Sequence, residues 1–124
     1  MASIDPWLAL ETMVTRQNPW NDDPACFGEP ISLEQALRVV TLNGAHAMNL
    51  EHLTGSIEAG KSADFIVLDR DLFAQPARNY IHRTQVRLTF VEGRPSYDQQ
   101  GVFAGTPLQA TWQGEPPVLE GGAQ

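Results

Sequence analysis

Basic side chains are scarce in this chain of 124 residues, where 8 Lys and Arg stand against 15 Asp and Glu for a formal charge of -7. Nucleic acid is therefore not an expected partner, because its binding rests on cations that neutralise phosphates. Cysteine is reduced to Cys26. No internal disulfide can form, and a lone thiol fits a reducing cytoplasm. No apolar run approaches the roughly 18 residues of a membrane span, and the amino terminus lacks the basic-then-apolar order of a secretion signal. A soluble cytoplasmic protein with no membrane partner is expected. Histidine is sparse too, at 3 residues. His46 and His52 are too far apart to share a helical face as an i, i+4 zinc pair does, and His82, with no second ligand near it in sequence, reads as structural. What is present is an ordinary globular balance, 42% hydrophobic and 19% charged, so the chain should fold at least in part.

Asp5-Pro6 is a helix start, since aspartate can cap free amides and proline at the first helical position gives up no hydrogen bond. The helix should run to about Arg16, with Trp7, Leu10 and Val14 on one face, Met13 beside them, and Glu11 and Thr12 off it. Trp7 reads as a packing anchor. Gln17 to Pro30, rich in Pro, Asn and Asp, is a loop by composition. Asp22-Asp23 within it read as a solvated turn, because no third ligand converges on them. Ser32 and Gln35 spell a capping box, with Ile31 placed to staple onto Ala36. Leu33, Ala36, Leu37 and Val40 then form a buried stripe, and Asn43-Gly44 signals a stop before a further helical turn or two over Ala45 to Leu50.

The most informative stretch is Gly55 to Leu68, Gly-Ser-Ile-Glu-Ala-Gly-Lys-Ser-Ala-Asp-Phe-Ile-Val-Leu, which reads as strand, turn, strand. Glu58-Ala59-Gly60-Lys61 suits a type II turn with Gly60 at its third position. Phe65 to Leu68 fit a strand covered on both faces. Gly55 to Ser62 also spell the phosphate-loop pattern G-x-x-x-x-G-K-S. That motif needs a buried strand before it and a helix directly behind it. Asn49 to Thr54 are mixed, Ala63-Asp64 lead into strand-like residues, and Glu58 sets a negative charge inside the anion cradle. Nucleotide binding at Gly55 to Ser62 is therefore the alternative, not the favoured reading. Farther on, Gln85 to Val91 alternate as a half-buried strand, and Glu92-Gly93 turn the chain into a return strand over Arg94 to Tyr97. Pro95 confines that strand to an edge. From Asp98 the glycines and prolines predict a weakly ordered tail with one strand around Leu108 to Trp112.

Gly55 to Asp69, with Ser32 to Leu37 before it and Val86 to Tyr97 after it, resembles the carboxy-terminal part of metal-dependent hydrolases of the amidohydrolase superfamily, in the branch called amidohydrolase family 3. There a G-S-(I/L)-E-x-G-K-x-A-D-(F/L)-(I/V)-V-L-D segment closes a small β-sandwich beside the catalytic barrel, and the likeness spans roughly residues 3 to 98. Under it the glycines and Lys61 are turn chemistry. The resemblance implies an α+β chain, with helices from the end of a TIM-barrel-type domain over 1–50, a β-rich part of the composite sandwich over 51–98 and an irregular tail over 99–124. A complete barrel takes about 250 residues, so the chain would be incomplete as a domain.

The activity implied is hydrolysis of non-peptide amide and related C-N bonds in small molecules by water activated on one or two divalent ions, usually zinc. The family's ligand motifs are an H-x-H pair, a bridging lysine or acid, two later histidines and an aspartate in S-D-x-P-V. None of them occurs in this sequence, and Asp5 matches the Asp-Pro helix start that follows the last ligand. The chain alone is thus expected to bear no catalytic residues, to hold no metal and to be inactive, the ligands lying before Met1. By their position after the last barrel strand, Arg16 and Trp20 would lie near the substrate entrance of a full-length enzyme. Open strand edges and bare helix faces predict a homo-oligomer. A free-standing, non-catalytic interaction module using such an edge is the remaining alternative.

Overall fold

Asp5 opens the first helix as its sequence predicts: its side chain accepts a 2.9 Å bond from the Trp7 amide, and α1 runs over Pro6–Thr15. The computed structural model describes residues 5–17, 28–74, 76, 80–110 and 112–113. Arg16 closes α1 in a left-handed conformation, φ 52°, its amide bonded to Thr12 O at 2.8 Å. The chain reappears at Gly28 and enters α2, Leu33–Val40, through the predicted capping box. The Gln35 amide donates to Ser32 Oγ at 3.1 Å, and the Ser32 amide donates to Gln35 Oε1 at 2.9 Å. Two otherwise orphaned donors are satisfied reciprocally.

Described residues within 1–40 and 70–84 form one compact unit, and those within 41–69 and 85–118 form another. In the first, α1 packs on α2 and on a 3-10 turn over Ile81–Arg83. Leu10, Ala36, Leu72 and Ile81 are buried. The Ile31 amide bonds Met13 O at 3.2 Å, tying the approach of α2 to α1. Arg70 lies over the Tyr80 ring, 5.1 Å from its centroid, and the Tyr80 hydroxyl donates to Asp71 O. Two expectations fail here. Val40, placed in the buried stripe, is 48% exposed, and Glu11, placed off the packing face, is 3% exposed. A stripe read from one helix marks the apolar side without saying which polar side chain a distant segment will cover.

The second unit begins with α3, Leu42–Ala47, which runs through Asn43-Gly44 where a stop was expected. The break falls instead at Thr41, between α2 and α3. A helical glycine costs only about 1 kcal/mol relative to alanine, little enough for context to override. After turns over 48–61 comes a four-strand sheet in the order β1 (Phe65–Leu68), β2 (Val86–Val91), β3 (Arg94–Asp98), β4 (Trp112–Gln113). The first three strands are antiparallel, pairing Phe65 with Phe90 and Thr89 with Tyr97, so the chain is α+β. Phe65 stacks on Phe90 at 4.6 Å between ring centroids, and Phe103 meets Phe90 edge-on at 6.0 Å. β4 is shorter and later than the predicted tail strand, and it pairs parallel with β3 through Tyr97 and Asp98.

Three further expectations for the sheet are corrected. No strand precedes the Gly60 turn, because amides there bond locally, as Leu53 and Thr54 do to Leu50 O. β1 is an outer strand, with Ile66 46% and Val67 39% exposed, so an uninterrupted apolar run does not here mean cover on both faces. Pro95 is buried and sits opposite Phe90, beside the bulge between Thr89 and Phe90. The bulge and the two-residue reach of β4 spare it from donating to a ladder.

Candidate functional site

Two clusters bring polar side chains together. The first is the glycine-lysine turn. The Lys61 amide bonds Glu58 O at 3.2 Å, and Gly60 has φ 89°, the geometry predicted for a type II turn. Lys61 Nζ lies 2.8 Å from Glu58 Oε2 and 2.7 Å from Ser56 Oγ, and the Ser56 hydroxyl donates to the same Glu58 oxygen. Hydrogen bonds from Lys61 and then Ser56 hold the Glu58 carboxyl below its ordinary range, so it remains a carboxylate at neutral pH. The lysine that a phosphate loop would offer to a nucleotide is thus taken by an anion of the same turn. Behind Ser62 the chain enters β1 and no helix starts. Asp64 staples the turn to the β2–β3 hairpin, accepting from the Glu92 amide at 2.8 Å and from Thr54 Oγ1 at 3.1 Å. The Glu92 amide, followed by the Ser62 hydroxyl, keeps the Asp64 carboxyl below its usual range.

The second cluster joins α1 to the 3-10 turn. Glu11 Oε2 accepts the His82 amide at 2.8 Å and stands 2.7 Å from His82 Nδ1. The Glu11 side chain is 4% exposed and that of His82 27%. Sequence reasoning left both residues without partners. A separation of 71 residues carries no periodicity that could connect them. The remaining histidines are surface groups: His46 Nδ1 lies 3.5 Å from Glu51 Oε1 at 68% exposure, and His52 is exposed.

Of the two residues expected near a substrate entrance, Arg16 caps α1 and its Nε donates to Glu29 O at 3.1 Å. Trp20 lies outside the described residues, as do Asp22 and Asp23. No group of three or more His, Cys, Asp or Glu among the described residues could hold a metal ion. His82 Nδ1 faces Glu11 and His46 Nδ1 faces Glu51, and neither pair has a third His, Cys, Asp or Glu converging on it among the described residues. These residues do not fit a hydrolytic metal centre.

Residues 1–97 match the model of the amidohydrolase family, and the chain belongs to that family. An imidazolonepropionase of Picrophilus torridus is 44% identical over 63 residues, which is 51% of this chain and 16% of that protein. An N-substituted formamide deformylase of Arthrobacter pascens is 41% identical over 73 residues, 59% of this chain and 13% of that protein. Protein LONG AFTER FAR-RED 3 of Arabidopsis thaliana is 32% identical over 97 residues, 78% of this chain and 16% of that protein. The chain therefore corresponds to less than a fifth of the length of these curated relatives. No solved structure matches it. No helix among the described residues is long and apolar enough to cross a membrane.

Proposed function

We propose that this chain is the carboxy-terminal portion of a cytoplasmic hydrolase that cleaves non-peptide C-N bonds of small amide-type molecules with metal-activated water. The family match over residues 1–97 carries the reading, and the names of two relatives, an imidazolonepropionase and an N-substituted formamide deformylase, give it a bond type. In this reading 1–50 end a TIM-barrel-type domain, 51–98 belong to a composite β-sandwich and 99–124 are a tail. The divalent ions, zinc by family resemblance, would be held by residues outside this sequence, since the ligand motifs have no counterpart in it and the His and acidic side chains described here do not converge. The chain by itself is then without turnover, and its own residues supply walls and supports.

Assaying the chain alone and within a longer reading frame, on a panel of small amides with added zinc, tests the proposal. Turnover is expected only in the longer protein. Near-stoichiometric zinc and amidase activity in the 124-residue chain would overturn it. In the longer protein Arg16→Ala and Trp20→Ala should each change substrate preference, and unchanged kinetics across the panel would remove both from the entrance. Ile66 and Val67, 46% and 39% exposed on the outer strand, favour self-association of the isolated chain through that edge. A monomer by light scattering at high concentration would refute this.

A further inference from the structure

The Glu11–His82 pair is used by nothing in the proposed hydrolase, and its geometry has chemical content of its own. One carboxylate oxygen receives the His82 amide at 2.8 Å and lies 2.7 Å from Nδ1. An oxygen already accepting one N–H, in a side chain 4% exposed, meets Nδ1 best as a second acceptor. In the neutral ring Nδ1 then carries the proton and Nε2 keeps its lone pair. Among the described residues Nε2 has no partner. The His82 side chain as a whole is 27% exposed, against 4% for Glu11.

We propose that His82 is an acylation site, a carboxylate-backed imidazole that takes small activated acyl donors at Nε2. The Nε2 lone pair forms a bond to the carbonyl carbon of the donor. The bond from that carbon to the leaving oxygen breaks, and the leaving group departs with the electron pair. The Nδ1 proton passes to Glu11, so the product is a neutral acyl-imidazole beside a neutral carboxylic acid. Glu11 is a positioning residue here, because it sets the tautomer and receives the proton without touching the donor. His46 is the internal comparison, for its carboxylate stands 3.5 Å away and its ring is 68% exposed. His52 is exposed and pairs with no acid in the described structure.

Diethyl pyrocarbonate is the probe, with the modified fraction of each histidine followed in time by peptide mass spectrometry on the intact, folded chain. His82 should be modified at least as fast as His52 despite its smaller exposure. Glu11→Gln, which keeps the shape of the side chain but cannot take the proton, should slow His82 about tenfold, the lower edge of what removing such a supporting carboxylate costs a histidine ligand. His46 and His52 should be unaffected. Modification of His82 slower than that of His52, or a Glu11→Gln rate equal to the parent, overturns the proposal. Should that variant unfold, two-bond 15N–1H correlation on the parent chain decides: an Nδ1-protonated ring sustains the proposal, and an Nε2-protonated ring ends it.

Discussion

Replacing Gly55 by alanine should be the most damaging single-methyl change in the second unit. A Cβ built there would stand 2.7 Å from the Ala45 Cβ and 3.2 Å from the Leu42 Cα, both on α3. Neither neighbour is the mobile end of a long side chain, so relief requires the turn to shift away from the helix. Gly55 also sits at φ 92°, where an L-residue carries a backbone penalty of about 1–2 kcal/mol. Crowding of this kind adds about 1–3 kcal/mol. Gly60 separates the two effects, because its φ is 89° and a Cβ there meets nothing within 4 Å. Gly60→Ala should therefore lose only the conformational part, and Gly55→Ala the sum, about 2–5 kcal/mol. For a chain of this size each kcal/mol lowers the melting temperature by about 4 °C. Urea titrations of the three proteins followed by circular dichroism, with slopes checked for constancy, measure the difference. Equal losses in the two variants, within about 0.5 kcal/mol, would refute the close approach of turn and helix.

The capping box is testable by a double-mutant cycle: Ser32→Ala should cost about 1 kcal/mol, and Gln35→Ala added to it should cost less than it does alone, because each side chain satisfies the other's amide. Strict additivity in denaturant midpoints would show the two bonds to be independent. Asp98, fully buried at the end of β3, should give acid sensitivity. Burial pushes its carboxyl up, but the amides of Phe103, Val102, Gly101 and Gln100 outweigh this and hold it below the ordinary value of 3.8, with Phe103 N at 2.8 Å from Oδ2. A lowered folded-state value means stability that is complete above the unfolded value and lost as pH falls through the folded one. Denaturant midpoints at pH 7 and pH 3 should fall further in the parent than in Asp98→Asn, and parallel falls would deny Asp98 that role.

What the sequence makes legible is whatever closes over a few residues. Asp5 with Trp7, Ser32 with Gln35, Glu58 with Gly60 and Lys61, and the Val91–Arg94 pairing of the hairpin are each closed locally, so residue type and spacing suffice. The family could be read for the same reason, because its motif is one such turn with its following strand. Glu11–His82 is closed by tertiary packing and leaves no mark on either local pattern. The exposed flank of β1 was hidden for a related reason: Phe65 to Leu68 look buried, but cover is a property of neighbours, and β1 has a strand on one side only. β4 was misplaced because a two-residue parallel contact needs no alternation of its own.

The glycine-lysine turn shows how one spelling can serve opposite electrostatics. A phosphate loop works by pointing unpaired amides and an unneutralised lysine at an anion. In this chain the Lys61 amide is already bonded to Glu58 O, the Ser62 amide to Leu53 O at 2.8 Å, and the lysine ammonium to Glu58 and Ser56. A nucleotide phosphate would have to displace a carboxylate held in place by its own turn, and it would still meet the charge of that carboxylate. Calorimetric titration with ATP and magnesium should accordingly give no saturable heat for the parent chain or for Lys61→Ala. Glu58→Gln is the sharper case, since it removes the competing anion while leaving the backbone turn intact. If that variant also fails to bind, the missing helix behind Ser62 is the controlling deficit; if the parent chain binds and Lys61→Ala does not, the turn is a phosphate site after all and its ion pair opens on demand.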